Sequence, residues 1–325
     1  MPQMSFSSLA YSEKKKVTRR EQFLKEMDQV TPWQRLEALI EPHYPKAGGG
    51  RPPMPLGAML RIYFMQQWFC LSDPGMEDAL YDSASMQRFA GLELGQNAIP
   101  DETTILNFRH LLEKHDLTRL VFEAVRDLLQ DKGILVKSGT ITDATIIHAS
   151  SSTKNRDRSR DCEMSSTKKG STWYFGMKAH VGACSKSGLV HTLETSTASV
   201  HDSQKAELLL HCEEKAIYGD KAYADAGRRK QYRARGVKWR VCLKAKRGQE
   251  LSEREKSWNQ SRNRVRARVE HNFGVIKHLW GYRKVRYRGL DKNRCQLLSL
   301  FLLSNLYCAR HSLLRIQQWQ ASRAT

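Results

Sequence analysis

The sequence predicts an all-helical N-terminal region followed by an α/β domain, a mixed five-stranded sheet with helices on both faces. Three observations carry that reading. Between residues 30 and 130, apolar residues recur at helical spacing, interrupted by proline and glycine. From Gly133 the pattern shortens to β-favouring runs and strict alternation. The later segments then come as three strands, a helix, a fourth strand, a fifth and a closing helix, an order that suits a covered mixed sheet.

Taken in order, residues 1–29 are polar and charged and read as a flexible basic arm. Residues 30–132 read as a helical domain. Trp33, Leu36 and Ile40 share one face of a helix from about Pro32, and Gly48-Gly49-Gly50-Arg51-Pro52-Pro53 then breaks regular structure. Leu56–Phe69 is apolar nearly all round, as a buried central helix is. Asp73-Pro74 opens another helix with proline in its first turn, where a missing amide costs nothing. Pro100-Asp101-Glu102 starts the next, and Leu117–Gln130 completes the set.

Residues 133–312 read as the α/β domain and 313–325 as a C-terminal tail. Ile134–Val136 and Thr140–Ile147 favour strand, whereas Ser150–Gly170 lacks periodicity and reads as a long loop. Phe175, Met177, Ala179 and Val181 alternate with Tyr174, Lys178 and His180, so the second set is expected to face outward. A turn at Lys186-Ser187-Gly188 leads into the strand Gly188–Thr195. Asp202 is placed to cap a helix through Glu213, Ala216–Gly219 is a strand ending on Asp220, and Gly236–Leu243 is the fifth strand. Ser252 and Glu255 have capping-box spacing for a helix running to about Leu279, and Leu297–Leu306 is the closing helix.

The chain carries 54 Lys+Arg against 34 Asp+Glu, a formal net charge of +20. Residues 1–150 hold 17 basic against 19 acidic groups, and residues 151–325 hold 37 against 15. Such a one-sided field attracts a polyanion and gains from counterion release, so nucleic acid is the expected partner. A membrane is not expected, because no apolar run reaches the roughly 18–20 residues a bilayer needs and the basic residues alternate with strand cores. Seven cysteines without a CxxC pair, and no signal-peptide pattern, read as free thiols in a reducing cytoplasm. Cys184, His191, His211 and Cys212 lack the spacing of a zinc finger or ribbon.

Three carboxylates sit where chemistry on a phosphate can use them: Asp143 on the first strand, Asp220 at the end of the fourth, and Glu270 on the helix opened by Ser252. Phosphodiester cleavage needs a deprotonated nucleophile and neutralised charge on the transferring group. Two divalent ions about 3.5–4 Å apart supply both when carboxylates hold them. Each carboxylate alone reads equally as a turn, cap or ion-pair residue, and Asp202 competes with Asp220. Asn263, Arg266, Glu270 and Lys277 follow one another at intervals of 3, 4 and 7 and so share a helix face, opposite much of the ridge of Val265, Val269 and Ile276. A glutamate flanked there by Arg and Lys suits an ion with phosphates on either side.

Thr142-Asp143-Ala144-Thr145, Tyr218-Gly219-Asp220-Lys221-Ala222-Tyr223 and Arg266–Glu270–Lys277 together resemble the DDE transposases of bacterial insertion sequences, specifically the insertion-sequence-five group and its relatives. Trp173–His180 and Ala198–Ser203 are similar to family segments flanking the active site, and Asn263 stands where the family has a tyrosine. The resemblance implies a ribonuclease H-like catalytic domain with Asp143, Asp220 and Glu270 as its catalytic metal ligands, holding two Mg²⁺ ions that Mn²⁺ replaces. It implies double-stranded DNA as partner, both terminal inverted repeats and target, a dimer or larger assembly on DNA, and a nucleoid-associated place in a prokaryotic cytoplasm. The helical domain would serve end recognition or dimerisation. His201, Asp202, Lys221, Tyr223 and Asn263 are expected beside the ligands. Arg266, Lys277, Lys178, His180, Tyr282, Arg283, Lys284, Arg286 and Arg288 are expected DNA contacts, with Tyr287 among them. A non-catalytic DNA-binding protein on the same fold, and a nuclease without strand transfer, are the competing readings.

Overall fold

The structure, a computed structural model, describes residues 14–48, 52–93, 97–245 and 248–324. Among these, seven helices precede the sheet: α1 (Arg19–Val30), α2 (Trp33–Ile40), α3 (Leu56–Trp68), α4 (Asp73–Asp82), α5 (Ala84–Ala90), α6 (Glu102–Lys114) and α7 (Leu117–Asp131). Side chains define several of their starts. Asp101 accepts the Thr104 amide at 2.7 Å and Ser72 that of Gly75 at 3.1 Å, pairing amides that a first turn leaves open. From Ala58 to Trp68, α3 is buried on every side except at Arg61, which explains its uninterrupted apolar sequence.

α1 corrects the expectation of a flexible arm over residues 1–29. Thr18 and Glu21 form a capping box, and Leu24, Met27 and Val30 are buried in the core. Three apolar residues at helical spacing suffice to dock an otherwise polar segment. Residues 1–13 of the expected arm lie outside the described residues.

The strands β1 (Thr140–His148), β2 (Ser165–Lys169), β3 (Thr172–Cys184), β4 (Val190–Thr197), β5 (Ala216–Gly219) and β6 (Lys238–Trp239) form one mixed sheet. β1 lies between β3, to which it is antiparallel, and β5, to which it is parallel; β5 is parallel to β6. The long β3 pairs with β2 along its first part and with β4 along its second. The sequence predicts five strands, and β2 is the addition, inside the segment expected as a loop. Lys169 pairs with Thr172 across Gly170-Ser171, and Gly170 has φ +63°, a left-handed conformation that two-residue hairpin turns require. Ile134–Val136 forms no strand, the expected fifth strand shortens to Lys238–Trp239, and Asp202–Leu209 is a 3-10 run rather than an α-helix.

Helices cover both faces: α8 (Ala226–Ala234), α9 (Glu253–Gly274) extended by a π turn at Val275–Leu279, and α10 (Leu290–Ala324). A small cluster of Ala206, Ile217, Tyr223, Tyr232 and Val241 packs under α8. The main core is continuous, joining residues of α1–α7 to β1, β3, β4, α9 and α10. α10 replaces both the short closing helix and the C-terminal tail expected from sequence, with Leu313 still buried. Its polar residues tie it to its neighbours. Ser299 meets Tyr63 at 2.9 Å, Gln296 donates to Gln67 at 3.1 Å, and Ser304 donates to Asn272 at 2.7 Å. Asn305 accepts the Val190 amide at 2.9 Å and donates to its carbonyl at 2.7 Å, closing part of the outer edge of β4. By length and composition Leu290–Arg323 could cross a bilayer, contrary to the sequence reading, yet 67% of its most apolar stretch is buried inside the protein.

Leu303, fully buried on α10, tests this shared core. Leu303→Ala is expected to lower stability by about 2–5 kcal/mol. Urea unfolding followed by far-UV circular dichroism and by tryptophan emission should show both signals shifting together.

Candidate active site

The three carboxylates reach one cleft from three elements. β1 and β5 run in parallel with Thr142 opposite Gly219, so Asp143 and Asp220, the next residue on each chain, leave neighbouring strands at the same level. Adjacent strands lie about 4.8 Å apart, which sets the scale of that approach. α9 crosses above and brings Glu270, and the resulting cleft of ≈ 450 Å³ is lined by Asp143, Asp220, Glu270 and also Asp202.

Arg266 organises these acids. It donates to Asp143 Oδ2 at 3.0 Å and lies 4.0 Å from Glu270 Oε1, one helical turn further along α9. The Ala144 amide donates to Asp143 Oδ1 at 2.9 Å. Burial pushes the Asp143 carboxyl upward in pKa, and Arg266 opposes that shift from the other side. Asn263 accepts from Arg266 Nη1 at 3.2 Å and from the Cys242 thiol at 3.3 Å, and so orients the arginine. Asp220 accepts the Ala222 amide at 2.8 Å and begins the 3-10 turn Lys221–Tyr223.

Carboxylate oxygens are the donors that a hard divalent cation takes. The Tyr223 hydroxyl adds a polar atom beside them: it is buried without a hydrogen-bond partner among the described residues, and burial together with Asp202, Asp143 and Asp220 pushes its pKa up. The donor chemistry therefore fits a metal. The spacing here is wider than a finished cage, since no three described Asp, Glu, His or Cys side chains come close enough to hold an ion.

Cations ring the acids. Lys178 donates to Asp202 at 2.8 Å and to the Val200 carbonyl at 2.7 Å, which commits the competitor of Asp220 to an ion pair. His201, not Asp202, caps the 3-10 run, its Nδ1 accepting the Ser203 amide at 3.3 Å, and it is exposed beside the cleft. Lys221 is exposed next to Asp220. Lys277 donates to Thr145 Oγ1 and the Ile146 carbonyl, both at 2.6 Å. The unforeseen hairpin contributes Thr167, Lys168, Lys169 and Tyr174 to the lining. Its signal was present in Lys169-Gly170-Ser171-Thr172, a two-residue turn ahead of an alternating strand.

Other expected DNA contacts are placed elsewhere. His180 is fully buried and its Nε2 lies 2.8 Å from Ser196 Oγ, with burial lowering its pKa to about 4, so it offers phosphate neither surface nor charge. It follows strand alternation, and Tyr174 and Lys178 on the same face do line the cleft, but the sheet is covered at the His180 position. Tyr282 is buried and cannot stack on a base. Tyr287 lies against Arg109 of α6, with the guanidinium 4.1 Å from its ring centre. Arg286 donates to the Cys70 and Leu71 carbonyls after α3, and Arg288 pairs with Asp157 at 2.5 Å. The aromatic and arginine stretch is thus mainly a brace between the helices and the sheet. Arg283, Lys284, Arg286 and Arg288 all remain exposed, with Arg283 bonded to the Lys277 carbonyl at 3.1 Å and His278 at 3.0 Å.

Burial, reinforced by Lys169, lowers the Lys277 pKa to about 8. A lysine is charged below its pKa, so raising pH through that value removes a cation from the cleft. With a chelator present, DNA affinity measured by fluorescence anisotropy should fall between about pH 7 and 9, and Lys277→Arg should flatten that part of the profile because arginine stays charged.

Two comparisons with known families bear on this geometry. Residues 135–306 match the family described as Transposase DDE domain, a span that includes Asp143, Asp220 and Glu270. Residues 11–111 match a Transposase domain (DUF772), covering most of the helices that precede the sheet. With more than half of the sequence inside the first match and a ribonuclease H-like sheet beneath the carboxylates, the chain belongs to the DDE transposase family, enzymes that bind DNA.

Proposed function

We propose that the protein binds the terminal inverted repeats of its own element, cuts there to expose a 3′-hydroxyl, and joins that end to target DNA by in-line phosphoryl transfer. The observation that carries this reading is the convergence of Asp143, Asp220 and Glu270, from β1, the end of β5 and α9, on one cation-rimmed cleft. Asp143, Asp220 and Glu270 would hold two Mg²⁺ ions, with Mn²⁺ as substitute. When bound, the ions supply a lowered water pKa for the first cut and charge neutralisation on the phosphate.

The chain's own groups do the rest. Lys277 fixes β1 just beyond Asp143, and Arg266 places a guanidinium between Asp143 and Glu270. Arginine presents a planar fork that matches phosphate oxygens, so Arg266 is the group to receive the scissile strand. Arg266 and a metal compete for the same Asp143 carboxylate, and DNA relieves the competition by offering Arg266 another anion. Two ends and a target must be held together for joining, which calls for a dimer or larger assembly on DNA.

Cleavage and joining should be assayed on a supercoiled plasmid carrying the repeats that flank the coding sequence, with Mg²⁺ or Mn²⁺. Asp143→Asn, Asp220→Asn and Glu270→Gln should each reduce end-specific nicking by about 10²–10³-fold or more while DNA binding persists. Asp202→Asn should retain most nicking. If folded protein binds the ends and never cuts them with either metal, a non-catalytic DNA-binding role replaces this reading, and cutting without joining to added target leaves a nuclease.

The competition over Asp143 has its own consequence. Without DNA, Arg266→Gln should bind Mn²⁺ more tightly than the natural protein by isothermal titration calorimetry, by about tenfold or more for loss of one adjacent charge. Unchanged affinity would mean that Arg266 does not oppose the ion.

A further inference from the structure

A cleft larger than the carboxylate cleft lies outside that site. It encloses ≈ 630 Å³ between α8, the chain following β6 and the first half of α9. Arg229, Lys230 and Arg233 line it from α8, and Lys244 from the facing chain. The one acid in its lining, Asp225, accepts the Arg228 amide at 2.8 Å as the cap of α8.

At the α9 side stands Trp258, 37% exposed, with two guanidinium groups against its ring. Arg262 lies 3.5 Å from the ring centre and Arg240 5.4 Å. Neither arginine has an acidic partner among the described residues, and the same holds for Arg229, Lys230 and Arg233. The aromatic ring holds the two guanidiniums in place, yet a quadrupole neutralises no charge. Two like charges brought to one ring repel, and burial followed by that repulsion from Arg240 lowers the pKa of Arg262. An anion with several oxygens would relieve the repulsion while accepting from both forks.

The groove also adjoins the carboxylates. Arg262 and Arg266 are four residues, or about one turn, apart on α9, about 6 Å along the axis. The Cys242 thiol of the groove donates to Asn263 at 3.3 Å, and Asn263 accepts from Arg266. We propose that Arg240 and Arg262, held by Trp258 and flanked by the basic side of α8, form a second phosphate site that grips the backbone of the DNA continuing beyond the catalytic cleft. This rests on the DNA-joining function proposed above, and it names a surface that the carboxylates do not require.

The test is fluorescence anisotropy of a labelled DNA duplex over a series of KCl concentrations, with a chelator present so that no strand is cut. Each neutralised phosphate contributes a slope of about −0.9 to log K against log salt. The paired variant Arg240→Gln with Arg262→Gln should lower the magnitude of that slope by about 1 to 2 and weaken binding at moderate salt. Arg35→Gln with Arg315→Gln removes the same charge from exposed positions elsewhere and should leave the slope unchanged. Arg240→Lys with Arg262→Lys should recover most of the slope, since charge is retained. The site is refuted if the glutamine pair binds with the natural slope, if the distant pair loses as much, or if the lysine pair behaves like the glutamine pair. If the natural protein itself shows no salt-dependent DNA binding, the DNA-joining function falls first and this site with it.

Discussion

A carboxylate enclosed by the central strand of a sheet requires a cation close by, and for Asp143 that cation is Arg266. Transfer of an isolated charge into the interior is prohibitive, so β1 and α9 are bound to one another through this pair. Much of the surrounding arrangement follows from it. Asn263 orients the guanidinium, Lys277 fixes the next residues of β1, and Glu270 is carried to the mouth of the cleft by the same helix face. The parallel register of β1 and β5 then sets Asp220 beside Asp143. An acidic centre is thereby stored in a form that is electrically satisfied.

Much of the order of elements was legible in the sequence because it rests on local rules, while the choice of Asp143, Asp220 and Glu270 leaned also on resemblance to a known family, and the structure brings the three to one cleft. Strand alternation, capping boxes and the intervals among Asn263, Arg266, Glu270 and Lys277 are properties of short stretches, and all survive folding. What was not legible depends on contacts between distant segments. His180 alternates correctly along β3, but only the packing of the finished sheet shows that its position is sealed while Tyr174 and Lys178 on the same side reach the cleft. Tyr282–Arg288 has the composition of a nucleic-acid surface, and part of it also binds within the protein, Arg286 to carbonyls after α3 and Arg288 to Asp157, while its cations stay exposed. The same composition serves adhesion within the protein.

The β2–β3 hairpin shows a different kind of gap. Lys168 and Lys169 belong to a polar run whose strand character comes from pairing with β3 rather than from intrinsic preference. Once paired, the hairpin lines the cleft with Thr167, Lys168 and Lys169 and keeps Trp173 exposed beside Lys168. Basic residues with no apolar periodicity are thus supplied to the cleft by an edge element that periodicity cannot detect.

α10 has 35 residues and so spans about 52 Å, long enough to touch both the N-terminal helices and the sheet. It packs into the core shared by both, with Gln296 and Ser299 bonded on the α3 side and Ser304 and Asn305 bonded on the α9 and β4 side. A helix bonded to both parts within the short stretch from Gln296 to Asn305 resists rotation of one part against the other. Rearrangement on DNA is therefore channelled away from a hinge between the two parts and into side chains and short connections, with the ion pair under α9 as the element that can be exchanged without moving the frame.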